Sequence, residues 1–193
     1  MPEPRRKHEM LILGSSSPRR RELLARRGVF FRVEAAQVEE LQTANPVADL
    51  PKLNAALKAA ELAARFPEAL VIGADTVILF DGRVIGKPRD RADALAILNA
   101  LSGQIHEVVT GVALRRIAPP VDEVFAVSTR VRFKSYSPEV AARYLDKVEV
   151  LDKAGAYAIQ EHGDDLVQAI EGPLDNVIGL PCDELLRRLE KYR

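Results

Sequence analysis

Residues 10–22 read MLILGSSSPRRRE, and this join constrains the fold more than any other stretch of the chain. The apolar run Met10, Leu11, Ile12, Leu13 breaks at Gly14 into Ser15, Ser16 and Ser17, then Pro18, then Arg19, Arg20 and Arg21. A strand ends here and a helix begins. Ser17 suits the N-cap and Pro18 the first helical position, where the missing N–H has no intrahelical partner to lose. The free N–H groups of that first turn favour an anion, and the three guanidinium groups add forked donors that match phosphate oxygens. A capped surface helix with a solvated basic face is the plainer alternative. Yet arginine at a helix start opposes the helix dipole, a small cost unless something negative sits there. The segment reads as a phosphate clamp. It is not a P-loop or a dinucleotide fingerprint, because neither G-x-x-x-x-G-K-[ST] nor G-x-G-x-x-G occurs in the chain.

A length of 193 residues suits one domain with a core of its own. The 28 basic and 28 acidic side chains balance, which argues against bulk attraction to nucleic acid or an anionic membrane. Any anion recognition must be local. A single cysteine, Cys182, excludes an internal disulfide and fits a reducing compartment. Residues 1–9, MPEPRRKHE, read as a flexible tail without the apolar stretch of a signal peptide. No long apolar run suits a membrane span. The expectation is a cytoplasmic protein with a small-molecule partner, neither nucleic acid nor membrane, and with homodimer formation left open.

Periodicity places the remaining elements. Gly28 closes the first helix and Phe30 to Glu34 suits a strand. Leu53, Leu57, Ala60 and Ala64 fall on one helical stripe, so a helix runs to about Phe66, ahead of Pro67. Leu70 to Gly73 reads as a short strand leading into Ala74-Asp75-Thr76. Val77–Phe80 and Arg83–Ile85 flank Asp81-Gly82, a hairpin signal. A helix fits Arg91 to Leu101, with Gly103 just beyond it. Two β-patterned stretches follow, His106 to Leu114 and Val124 to Phe133. Ser137-Pro138 opens a helix to about Val148, a strand lies near Leu166 to Ile170, and a final helix carries Leu185, Leu186 and Leu189. The pattern predicts a single α/β domain over residues 10–193, a mixed twisted sheet with helices packed on it and a cleft at strand ends.

Several charged groups sit at expected chain breaks. Asp75 follows an apolar strand, the position where open α/β sheets place ligand residues. Glu39-Glu40 follows the second strand, and Gly86-Lys87-Pro88 closes the hairpin. Lys58 follows Leu57 on the second helix, and Lys153 lies in Leu151-Asp152-Lys153-Ala154-Gly155. Taken singly, Lys58 and Lys153 read as ordinary surface lysines, whereas Asp75 reads as functional. His106 lies in a β-patterned run with no second histidine or cysteine at metal-binding spacing, so it reads as structural. Cys182 reads as a small apolar residue at a helix start.

Together and in order, these pieces resemble the Maf family of nucleotide pyrophosphatases, the septum-formation proteins. LGSSSPRRRELL is similar to that family's opening pattern, close to L-A-S-x-S-P-R-R-x-x-L-L. The resemblance continues through Val38-Glu39-Glu40, Leu57-Lys58-Ala59, Ile72-Gly73-Ala74-Asp75-Thr76-Val77 and Gly86-Lys87-Pro88-Arg89-Asp90. Leu101-Ser102-Gly103, His106, Thr110-Gly111-Val112, Asp152-Lys153-Ala154-Gly155-Ala156-Tyr157, Ile159-Gln160 and Val177-Ile178-Gly179-Leu180-Pro181 complete it.

The resemblance implies hydrolysis of a nucleoside triphosphate to the monophosphate and pyrophosphate with a divalent cation, Mg²⁺ or Mn²⁺. It makes Asp75 the proton acceptor and sets Arg20, Lys58 and Lys87 around the phosphates with Glu40 nearby. Mg²⁺ binds through one or two carboxylates plus phosphate oxygens and water, so Glu40 and Asp75 suffice as its ligands. Arg19, Thr76 and Gln160 match the residues that sort substrates, and all three agree with the branch acting on dTTP and UTP. A branch preferring a methylated guanine nucleotide tends to carry tryptophan at the first of these positions. Departures from the pattern are Gly14 for alanine, Glu39 for aspartate, and Ala158 and Glu161 for glycines. The last two flank Gln160 and bear on the base pocket. Removal of non-standard nucleotides and a link to cell-division arrest belong to this reading, and a house-cleaning pyrophosphatase for modified purine nucleotides and a nucleotide-binding septation regulator with little turnover are the alternatives.

Overall fold

The computed structural model describes residues 10–192, so the expected tail at residues 1–9 lies outside the described residues. The join at residues 10–22 folds as expected, with strand β1 (Leu11–Gly14) running into helix α1 (Pro18–Arg26). Ser17 occupies the N-cap in an extended conformation and Pro18 opens the helix. The chain continues through β2 (Arg32–Val33), α2 (Leu50–Arg65), β3 (Leu70–Phe80), β4 (Arg83–Ile85) and α3 (Arg91–Leu101). The long strands β5 (Ile105–Arg116) and β6 (Val121–Phe133) follow, then α4 (Pro138–Lys147), α5 (Gly163–Leu166) and β7 (Val167–Glu171). Helices α6 (Leu174–Ile178) and α7 (Cys182–Leu189) follow, and a 3-10 turn over Glu190–Tyr192 closes the described residues.

The seven strands of the described residues form one mixed sheet in the order β2-β1-β3-β5-β6-β7, with β4 paired to β3 off this path. β1 runs parallel to β2 and β3, and the other pairs are antiparallel. Helix α2 covers one face, where Ala55, Ala59 and Leu62 pack on Ile12, Val71 and Ala113. Helices α1 and α7 cover the other, where Leu24, Leu185 and Leu189 meet Leu13, Leu70, Ile72 and Ala74. Side chains alternate between faces along a strand, so Asp75 turns toward α2 and Thr76 toward α1.

Three expectations change. The segments Leu70–Gly73 and Val77–Phe80, expected as separate strands with Asp75 in a break between them, form one 11-residue strand. The break belongs to the neighbour instead: β1 pairs with β3 only as far as Gly14 opposite Gly73, and pairing with β4 starts only at Ile78, opposite the last β4 residue Ile85. Residues 74–77 keep β5 on one side and have no strand on the other.

The second correction is the buried face of α2. Leu53 and Leu57 are 44% and 39% exposed, whereas Asn54, Ala55, Lys58, Ala59 and Leu62 are buried. The cause is a close approach of helix to sheet. A Cβ at Gly73 would lie 2.1 Å from the Ala55 carbonyl oxygen, and one at Gly111 would lie 2.3 Å from the Pro51 carbonyl. Small residues must face such a contact, and the leucines rotate outward. The expected strand at Phe30–Glu34 shrinks to two residues, with Phe30 exposed.

Candidate active site

The missing strand beside residues 74–77 opens a cleft of about 780 Å³, a volume in the range of small-molecule sites. Arg19, Arg20, Glu40, Lys58, Asp75, Thr76, Lys87 and Gln160 all line it, so every residue expected in the site is brought there. Arg21 is exposed and lies outside the cleft lining, which reduces the expected cluster of three arginines to two.

Lys58 reaches the gap because α2 sits so close to the sheet. Its ammonium donates to Glu40 Oε1 at 2.8 Å, Asp75 Oδ1 at 3.0 Å and the Ala74 carbonyl at 3.3 Å. An ammonium has three donors, and all three are engaged. Lys58 is buried at the centre of the site, against its reading as a surface lysine. Burial alone would raise the Glu40 carboxyl, but the bond to Lys58 and the charges of Lys58, Lys87 and Arg20 bring it below its usual value.

The other Asp75 oxygen, Oδ2, accepts from Asn54 Nδ2 at 3.2 Å. Asn54 also brackets the Leu41 backbone, accepting its N–H at 2.8 Å and donating to its carbonyl at 3.1 Å. One amide therefore ties the segment carrying Glu40 to the carboxylate of Asp75. Sequence reasoning passed over Asn54. The available signal was a short polar residue mid-helix, where asparagine is disfavoured, one turn before Lys58.

Arg20 enters from the opposite face. Its Nε donates to the Gly179 carbonyl at 2.7 Å, Nη1 to the Ala74 carbonyl at 3.1 Å and to Ser15 Oγ at 3.3 Å, and Nη2 to Thr76 Oγ1 at 2.8 Å. Four of the five guanidinium donors meet protein oxygens. Burial lowers its affinity for a proton, and the Asp75 and Glu40 charges oppose that shift. Arg19 stands 3.5 Å from Asp152 Oδ2, and Asp152 Oδ1 accepts from Lys153 Nζ at 2.7 Å. Burial opposes ionisation of Asp152, yet Lys153 and Arg19 hold its carboxyl below the usual range. Lys153 is buried on the cleft wall and also donates to the Glu149 carbonyl. Lys87 and Gln160 lie exposed within the lining. Ala158 is buried in the same lining, and Glu161 comes within 3.9 Å of Lys153.

His106 and Cys182 lie outside the cleft lining. His106 is 1% exposed, with Nε2 at 2.9 Å from the Tyr157 hydroxyl and its ring edge-on to Phe133. Burial lowers its pKa to about 4, so it is neutral at pH 7. Cys182 is buried, and burial pushes its thiol up to about 12, which removes it as a nucleophile.

Glu40 and Asp75 both bond to one ammonium, so the site accommodates a cation between two carboxylates. Among the described residues no group of three or more His, Cys, Asp or Glu gathers to hold a metal. Mg²⁺ typically takes one or two carboxylates and completes its shell with substrate phosphates and water. This donor set fits that mode.

The model of the family described as Maf-like protein matches residues 10–192. A protein of Akkermansia muciniphila named dTTP/UTP pyrophosphatase is 42% identical over 180 residues, which span 93% of this chain and 94% of that one. A protein of Myxococcus xanthus with the same name is 45% identical over 184 residues, 94% and 92% of the two chains. Among solved structures, the Staphylococcus aureus Ham1 protein superposes with a TM-score of 0.56 at 15% identity, covering 96% of this chain and 100% of that one. That last likeness concerns the fold alone. Among the described residues no helix is long and apolar enough to cross a membrane.

Proposed function

This chain belongs to the Maf-like family, and we propose that it hydrolyses dTTP and UTP to the nucleoside monophosphate and pyrophosphate. The names of its relatives support the substrate, and one observation carries the chemistry. A carboxylate, Asp75, is held by Lys58 on one oxygen and Asn54 on the other, in a cleft also lined by Arg19, Arg20, Lys87 and Lys153.

The reaction needs water to attack the α-phosphorus while pyrophosphate leaves with growing negative charge. Asp75 takes the proton of the attacking water, its two hydrogen bonds fixing the carboxylate plane before substrate arrives. Glu40 and Asp75 would hold the divalent cation, which supplies charge neutralisation at the phosphates. Lys58 meets phosphate by exchanging one of its three oxygen partners for a substrate oxygen. Lys87 and the remaining donor of Arg20 face the leaving pyrophosphate, where preorganised donors act most strongly. Arg19, Thr76 and Gln160 select the base. The Gln160 amide offers one donor and one acceptor group, a match for the N3–H and carbonyl oxygens shared by uracil and thymine. The chemistry requires no membrane or nucleic-acid partner, and a reducing cytoplasmic setting agrees with its one buried thiol.

The test is pyrophosphate release across UTP, dTTP, CTP, GTP and methylated guanine nucleotides, with Mg²⁺ and with Mn²⁺. Preferential turnover of UTP and dTTP is expected. Preference for the methylated guanine nucleotide would move the chain to a purine-cleaning role, and binding without release would make it a nucleotide-binding regulator.

A further inference from the structure

Thr76 and Thr110 face each other across β3 and β5, with their hydroxyl oxygens 2.9 Å apart. Each hydroxyl carries one proton, so the direction of every bond around them can be assigned. Thr110 Oγ1 lies 3.1 Å from the Asn176 carbonyl oxygen, which only accepts, so Thr110 donates there. Thr110 must then accept from Thr76. Thr76 in turn accepts from Arg20 Nη2 at 2.8 Å. The Gly179 carbonyl is a second acceptor for the Thr76 proton, but at 3.5 Å. Sending the proton there would set two bare lone pairs against each other at 2.9 Å, beside a Thr110 that is 0% exposed. An unmade bond in such a place is costly.

The chain of donors therefore runs from Arg20 through Thr76 and Thr110 to the Asn176 carbonyl. Its far end is rigid. The Asn176 amide donates to the Val108 carbonyl and to Thr129 Oγ1, each at 3.0 Å, and Thr129 donates to the Pro173 carbonyl at 3.0 Å.

We propose that Thr110 is a positioning residue for base selection: by accepting the Thr76 proton it leaves Thr76 Oγ1 able only to accept from the cleft. The proposal rests on the reading of this cleft as a pyrimidine nucleotide site. An acceptor-only hydroxyl shares with the Gln160 carbonyl the one N3–H of uracil and thymine. It opposes cytosine, whose N3 presents a lone pair instead. If Thr110 merely held α6 to the sheet, removing its hydroxyl would weaken turnover of both nucleotides alike.

The experiment compares kcat/KM for UTP and CTP in wild type, Thr110→Val, Thr110→Ser, Thr76→Val and the Thr76→Val, Thr110→Val double variant, with UMP and CMP affinities measured alongside. Thr110→Val should lower the UTP-over-CTP ratio about ten-fold, the scale of one misdirected hydrogen bond. Thr110→Ser should keep the ratio. The effect of Thr110→Val should vanish when Thr76 is already valine, since the two act as one unit. Thr110→Cys, close in volume and a weak acceptor, carries the same expectation should the valine variant not fold. An unmoved ratio, or an equal drop in the Thr76→Val background, overturns the role of Thr110. Absence of pyrophosphate release from every nucleotide would instead overturn the pyrophosphatase reading, so the two failures are distinct.

Discussion

Arg20 and Lys58 donate to the same backbone oxygen, the Ala74 carbonyl, at 3.1 Å and 3.3 Å from opposite faces of the sheet. In an unbroken sheet that carbonyl would face a neighbouring strand. β1 stops at Gly14, so two side chains take the strand's place. A buried carbonyl must find partners, and here they are cations. The gap therefore brings positive charge to the sheet edge at the point where Asp75 and Thr76 turn to opposite faces. The proposed proton acceptor faces α2 and the proposed base-selecting hydroxyl faces α1, one residue apart.

Asp75→Asn should keep nucleotide binding and lose turnover. The change preserves shape and removes the basic oxygen, and loss of a general base costs ~10²–10⁴ in rate. Single-turnover kinetics beside a binding isotherm give the answer. Turnover near that of the wild type would take Asp75 out of the mechanism.

Arg20→Ala and Lys87→Ala should separate by stability. Both are expected to lower kcat by ~10²–10³ through loss of a donor to the leaving group. Arg20→Ala also removes the four hydrogen bonds that tie α1 to the Gly179, Ala74, Ser15 and Thr76 oxygens, so its Tm should fall by about 5 °C or more. Lys87 is exposed, and its removal should leave Tm nearly unchanged. Arg20→Lys should not rescue activity, because a point charge cannot reproduce the fork. A rise in KM with kcat level would make either residue a uniform binder of substrate.

Asn54→Leu tests whether the amide matters beyond filling space. The leucine covers the volume but frees both the Leu41 backbone and Asp75 Oδ2. A loss of about ten-fold or more in kcat with KM less affected is expected, since misplacing catalytic groups acts on the transition state. Unchanged kcat would mean that Lys58 alone orients Asp75.

Much of this site was legible from local chemistry. The Ser17-Pro18 helix start, the Asp81-Gly82 hairpin and the alternation through β6 depend on short-range rules. The resemblance placed Glu40, Lys58, Asp75, Lys87 and Gln160 by motif. What stayed hidden is set by tertiary contact. The rotation of α2 follows from Gly73 and Gly111, whose missing side chains let the helix touch the sheet. That rotation buries Lys58 and Asn54, and periodicity built on Leu53 and Leu57 points the other way. The continuity of β3 past Asp75 depends on its pairing with β5, some 35 residues further along the chain.

His106 should make the fold sensitive to mild acid. Burial lowers its pKa from 6.5 to about 4 in the folded protein, while the unfolded chain keeps a value near 6.5. Between those values the unfolded chain binds a proton that the folded protein does not, so stability rises with pH there and falls on acidification. The neighbours facing the ring are Phe133 and the Tyr157 hydroxyl, and burial raises the Tyr157 pKa, so neither changes charge in this window. Moving from about pH 7 to about pH 5 should remove roughly 2 kcal/mol of unfolding free energy through this group alone. Glu123 and Glu184, whose pKa values lie at about 2, add their own losses only further into acid, below the unfolded carboxylate value of about 4.3. Urea unfolding of wild type and His106→Gln at the two pH values checks this, because glutamine retains a polar group toward Tyr157 and does not titrate. The wild-type midpoint should drop markedly more than that of the variant. Equal drops would remove His106 as the cause of the acid sensitivity.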